Sequence, residues 1–210
     1  MNKILTILLL TLSITGFSQP LDYDNLDLNL LDSLILVEVN ERRTEAGKTT
    51  VYYSDVIHEG VSKIQTQILV NEQKVYHPEN DHLYENIFSE LEKECNDVYG
   101  VDFQYPYVPR GYQTEVSIMI TEQYQLNTYQ ELSEYFVDRW FTSPPHKDYM
   151  LRFGSFVKFT CGAVSIQQGR YEDLKTLYGT FQMVQPNDDF LEKYEGLSYS
   201  EQVKIFSRKN

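Results

Sequence analysis

The chain has 210 residues, 41% of them hydrophobic and 23% charged, which is the composition of one globular domain and far from that of a disordered chain. Its 31 acidic residues against 18 basic ones leave a formal charge of −13, so a nucleic acid held by counterion release is excluded as a partner and an anionic membrane surface is disfavoured. Two cysteines are too few for a disulfide-dense scaffold or a four-cysteine zinc site.

Residues 1–18 read as an export signal. Lys3 precedes a nearly continuous apolar run from Ile4 to Ile14, and Gly16 and Ser18 are the small residues expected before a cleavage that leaves Gln19 first. That run is shorter than the ~20 residues a membrane-spanning helix needs. No second stretch of spanning length follows, so the expectation is a single domain over 19–210, located in the periplasm or outside the cell. In an oxidising compartment a Cys95–Cys161 disulfide can persist, with two free buried cysteines as the alternative.

Leu30, Leu31, Leu34, Ile35 and Val39 recur at helical spacing, and Gly47 is placed to stop that helix. Ser54 reads as the cap of a second helix, with Asp55 and Glu59 in its first turns and an apolar stripe of Ile57, Val61, Ile64 and Ile68. Residues 76–113 carry the punctuation of Pro78, Gly100, Pro106, Pro109 and Gly111 and read as irregular, with a short helix around Ile87–Cys95. Val116, Ile118 and Ile120 alternate with Ser117 and Met119 as a strand does. Thr128 to Glu131 has capping-box spacing and opens a helix through Leu132, Tyr135, Phe136 and Trp140, which Ser143-Pro144-Pro145 ends. Two β-like runs close the pattern, Phe156–Ile166 and Thr176–Val184, joined by a moderately long connection over Gln167–Lys175. The tail from Gln185 reads as a short helix or a frayed end.

The chain has no glycine-rich dinucleotide fingerprint, P-loop, HExxH zinc motif or nucleophile elbow. What remains is four histidines, His58, His77, His82 and His146, and many carboxylates. The cluster from Tyr76 to Ile87 holds His77, Glu79, Asp81, His82 and Glu85. That set suits either metal ligation or a solvated loop. His146 follows Ser143-Pro144-Pro145, where a lone histidine serves equally as a cap.

In chain order the segments are Val39-Asn40-Glu41-Arg42-Arg43, a histidine, Glu85-Asn86-Ile87, Trp140-Phe141-Thr142-Ser143-Pro144-Pro145-His146, Cys161-Gly162-Ala163-Val164 and Tyr178-Gly179-Thr180-Phe181-Gln182. This order resembles the CAP superfamily of cysteine-rich secretory, antigen and pathogenesis-related proteins, in its bacterial SCP-like form, over about residues 30–184. The resemblance implies an α+β fold, a CAP-like α–β–α sandwich with an antiparallel sheet between helices. It also implies a cavity built on His77, Glu85 and His146, with Ser143 near the place of the family's second glutamate. His82 is the substitute for His77. Tyr84 and Pro145 stand where the family carries glycine.

Two neutral imidazoles with a carboxylate beside them suit a divalent metal such as zinc. The function implied is a secreted ligand-binding module whose partner is a small molecule, a lipid or an envelope polymer, with the many tyrosines available to line a groove or to fill the core. A metal-assisted hydrolase acting on extracellular peptide or polymer is the alternative, and a purely structural domain is a third reading.

Overall fold

The computed structural model describes residues 20–77, 81–99, 113–124, 126–151 and 160–184. The export segment, the cleavage point, residues 156–159 of the expected strand and the tail after 184 lie outside the described residues.

Helix α1 (Leu28–Glu45) opens at Asp27, whose carboxylate accepts the Leu30 N–H at 3.0 Å, and is followed by Gly47 at φ 70°, a left-handed conformation that glycine adopts without cost. Strand β1 (Tyr52–Tyr53) follows, and the Ser54 hydroxyl then accepts the Ile57 N–H at 3.1 Å to cap α2 (Asp55–Ile57). The helix next widens into a π-helical turn over His58–Ser62 before resuming as α3 (Lys63–Glu72).

That π turn breaks the apolar stripe expected of this segment. Ile57 and Val61 are fully buried, but Ile64 is 41% exposed and Ile68 is only half-buried. A π turn accommodates one extra residue, and one residue is about 100° of helix rotation. Gln65, Thr66 and Leu69 are thereby brought to the inner face.

Helix α4 spans Asp81–Tyr99, far longer than the short helix expected around Ile87–Cys95, and it absorbs His82 and Glu85 from the stretch read as irregular. Its buried residues Tyr84, Ile87, Leu91 and Cys95 step by three, four and four, so one narrow stripe carries it despite a largely polar sequence. At Gly60 a Cβ would lie 2.5 Å from Ile87 Cγ2, so α4 packs directly on the π turn.

Strand β2 (Gln113–Thr121) leads to α5 (Tyr129–Thr142), capped by Thr128 Oγ1 accepting the Glu131 N–H at 3.1 Å. Ser143 ends α5 as expected, but the two prolines then begin α6 (Pro144–Leu151), since a proline at a first helical position loses no bond that the helix would use.

Strands β3 (Cys161–Tyr171) and β4 (Leu174–Val184) are joined by two residues, Glu172 at φ 53° and Asp173, in place of the long connection expected over Gln167–Lys175. Their ladder runs without a break from Cys161↔Val184 to Tyr171↔Leu174. The polar residues Gln168 and Arg170 are exposed there, which is why the sequence hides this half of the hairpin.

The sheet order is β1-β3-β4-β2, with β1 parallel to β3 and the other pairs antiparallel. It is therefore mixed, where a wholly antiparallel sheet was expected, because the short β1 joins by the crossover through the later helices. On one face Val164, Ile166, Phe181, Met183, Val116 and Ile120 pack with α1, α5 and α6 residues such as Leu31, Phe136, Trp140 and Met150. On the other, Cys161, Ala163 and Val184 pack against Ile57 and Val61 and against the α4 stripe. The fold is α+β, with helices on both faces of the sheet. At Gly179 a Cβ would fall 2.5 Å from Ile166 Cδ1 and 2.9 Å from Phe136 Cε1, so α5 depends on its absence to reach the sheet.

Candidate functional site

The Asn40 and Arg43 pair of the first motif acts on the scaffold. Asn40 brackets Val51, accepting its N–H at 2.7 Å and donating to its C=O at 3.0 Å. Arg43 is fully buried, its Nε donating to Thr49 C=O at 2.9 Å and its Nη1 to Met150 C=O. Burial pulls its guanidinium down to about 10. Arg43 thus ties α1 to the end of α6, the helix that carries His146.

His77 follows α3, which ends on Gln73 in a left-handed conformation at φ 51°. His146 sits in the first turn of α6, just beyond Ser143, whose C=O accepts the Lys147 N–H at 2.9 Å. The two rings meet edge to face, with centroids 5.9 Å apart and planes at 74°. His146 titrates below its ordinary value because burial disfavours the imidazolium and because a charge on His77 repels it. At neutral pH it therefore offers a lone pair.

The other expected members stand differently. Glu85 and His82 are both exposed on α4, and Ser143 is half-buried at the α5–α6 joint. Tyr84, in the family's glycine position, is buried and donates its hydroxyl to Gln182 Oε1 at 2.7 Å, while Gln182 Nε2 donates to Gln65 Oε1. This chain of bonds anchors the start of α4 to β4 and α3, one residue before Glu85. Tyr129 and Tyr178 are buried as well, so these tyrosines fill the core, whereas Tyr52, Tyr53, Tyr124, Tyr149 and Tyr171 remain exposed.

Two imidazoles on one tetrahedral zinc have ring centroids roughly 5 Å apart, given Zn–N bonds of about 2.0–2.1 Å. The 5.9 Å spacing of His77 and His146 is close to that figure, with the rings edge to face. Among the described residues no group of three or more His, Cys, Asp and Glu is arranged to hold a metal.

A second constellation lies away from this pair, and sequence reasoning missed its anchor. Asp32 on α1 is nearly buried; its Oδ1 accepts the Ile166 N–H at 2.8 Å and its Oδ2 lies 3.3 Å from His58 Nε2. His58 Nδ1 lies 3.0 Å from Glu59 Oε1, and Glu59 in turn pairs with Lys63 at 2.8 Å. Burial raises the Asp32 carboxyl to about 6, against the opposing pull of His58, whereas for His58 the bond to Asp32 outweighs burial and raises the imidazole. The group borders a cleft of about 590 Å³, whose apolar lining includes Leu28, Ile64 and Ile68. The signal for it was a charged residue inside an apolar stripe, since Asp32 lies four residues after Leu28 and three before Ile35.

No protein-family model matches the chain, and no curated protein matches it. Among solved structures, the chain is similar to an outer surface protein from Borrelia burgdorferi, with a TM-score of 0.43 and 11% sequence identity over 80% of this chain and 99% of that one.

Proposed function

We propose that the chain is an exported, SCP-like member of the CAP superfamily that binds a ligand at a cavity built on His77 and His146. The observation that carries this reading is the meeting of those two rings at 5.9 Å, from segments on opposite sides of α4 and α5 in the chain. Independent placement of a histidine after α3 and another at the start of α6 gives no reason for convergence. The α–β–α sandwich is supported by helices on both faces of the sheet, and export by the apolar run from Ile4 to Ile14 ahead of Gly16 and Ser18. No helix among the described residues is long and apolar enough to cross a membrane.

His77 and His146 are the residues that would hold a divalent cation such as zinc, which would polarise a ligand oxygen or a bound water. Burial supplies the neutral imidazole that ligation requires. The ligand class is a small molecule, a lipid or an envelope polymer, oriented by these two rings. The hydrolase alternative uses the same pair.

Calorimetric titration with zinc tests the proposal. Wild type should bind one equivalent, and His77→Ala and His146→Ala should each abolish or weaken it at least tenfold, while His82→Ala leaves it unchanged. Loss only in His82→Ala would move the site, and equal behaviour of all four proteins would end the reading.

A further inference from the structure

The cysteines belong to elements far apart in the chain, Cys95 to the last turns of α4 and Cys161 to the first position of β3. Both are fully buried, and both lie in the cluster formed by Ile57, Val61, Leu91, Ala163 and Val184. Both are free thiols in the structure, and the neighbouring Cys95 thiol together with burial pushes the Cys161 thiol well above its ordinary range. The chain contains two cysteines, so an intramolecular bond has a single connectivity.

We infer that Cys95 and Cys161 are a disulfide pair that clamps α4 to the sheet. Cys95 stands on the stripe that holds α4 down and Cys161 on the strand in the same cluster, so the bond locks the docking that Tyr84 secures at the other end of the helix. The oxidant is a small-molecule or protein disulfide. One cysteine thiolate attacks a sulfur of that disulfide and expels one thiolate. The second cysteine thiolate then attacks the mixed disulfide at the cysteine sulfur, forming the Cys95–Cys161 bond and expelling the other thiolate. Two thiol protons are released and two electrons reduce the oxidant to two thiols. Because both sulfurs are dry in the folded chain, exchange takes place before α4 docks or when it opens.

The experiment holds the full chain with glutathione disulfide, in one arm at a denaturant concentration just below the unfolding transition and in the other during refolding from the reduced state. It then denatures the protein with an alkylating agent and reads intact mass and peptides. The expected result is loss of two hydrogens, no alkylation, and one peptide pair joined through Cys95 and Cys161, with a denaturation midpoint above that of the reduced chain. A Cys95→Ser variant should stay monomeric and carry either a free Cys161 thiol or a glutathione adduct there. Two alkylated cysteines in wild type, stable glutathione adducts on both, or cross-linked dimers as the main product would overturn the inference. If the variant fails to fold, the wild-type peptide map still decides.

Discussion

Asp32 accepts the Ile166 N–H at the edge of β3, where β1, only two residues long, no longer supplies a neighbour. A buried carboxylate thus does for one edge amide what a longer strand would have done. Burial raises that carboxyl from 3.8 to about 6, so the folded chain holds a proton that the unfolded chain has released between those values. Stability therefore falls as pH rises through that window, by about 3 kcal/mol if the whole shift is expressed. His58 is raised as well, so its contribution is present below 6.5 and is lost as pH climbs past its folded value. Asp32→Asn keeps an oxygen for Ile166 and removes the buried acid. Urea unfolding at pH 4 and pH 7 should show the variant gaining on wild type by about 1–3 kcal/mol between the two conditions. A constant difference would contradict the origin given for the shift.

The π turn makes a prediction that a regular helix would reverse. Ile64 is 41% exposed and Leu69 is fully buried. Ile64→Ser should change stability by no more than about 0.5 kcal/mol, whereas Leu69→Ala should cost about 2–5 kcal/mol. If Ile64 proves the costlier site in urea melts, the helix is continuous and the cleft beside it does not exist.

What the sequence disclosed and what it hid follow one physical line. Caps are local, so Ser54 and Thr128 were legible, as was the apolar stripe of α1. The π turn was illegible because nothing in His58–Ser62 announces an inserted residue until α4 presses on Gly60. The start of α4 was hidden because Asp81 to Glu85 reads as a ligand cluster, although its buried stripe begins at Tyr84. The far half of the β3–β4 hairpin was hidden because strand residues exposed to water need not alternate. The motif order paired His77 with His146, whose rings meet in the fold, but Asp32 acquires its role only when α1 lies along the edge of β3.

Glu94 caps α2 from another helix. Its carboxylate accepts the Asp55 N–H at 2.7 Å and the Val56 N–H at 3.3 Å, and also takes the Ser54 hydroxyl. Glu94→Ala should lower stability by about 1–2 kcal/mol, with Glu94→Gln losing less. Hydrogen exchange should quicken first at Asp55 and Val56, and an unchanged rate there would remove the cap.

Arg43 should behave as a positioning residue for His146. Arg43→Leu leaves the Thr49 and Met150 carbonyls without this donor and is expected to cost about 3 kcal/mol. Arg43→Lys should recover little, since one ammonium lacks the spread of a guanidinium. In the folded fraction the His146 ring resonances should move in both variants, and their remaining fixed would uncouple α6 from α1.

The central claim is that His77 and His146 form one site, and the direct measurement is an NMR pH titration of the His146 imidazole in wild type and in His77→Gln, with and without zinc. In wild type His146 should titrate below 6.5, held down first by burial and then by His77. In His77→Gln it should move part of the way back, since the burial remains. One equivalent of zinc should perturb both rings together in wild type and neither ring strongly in the variant. An identical His146 titration in the two proteins, together with zinc shifts that ignore the pair, would contradict the account.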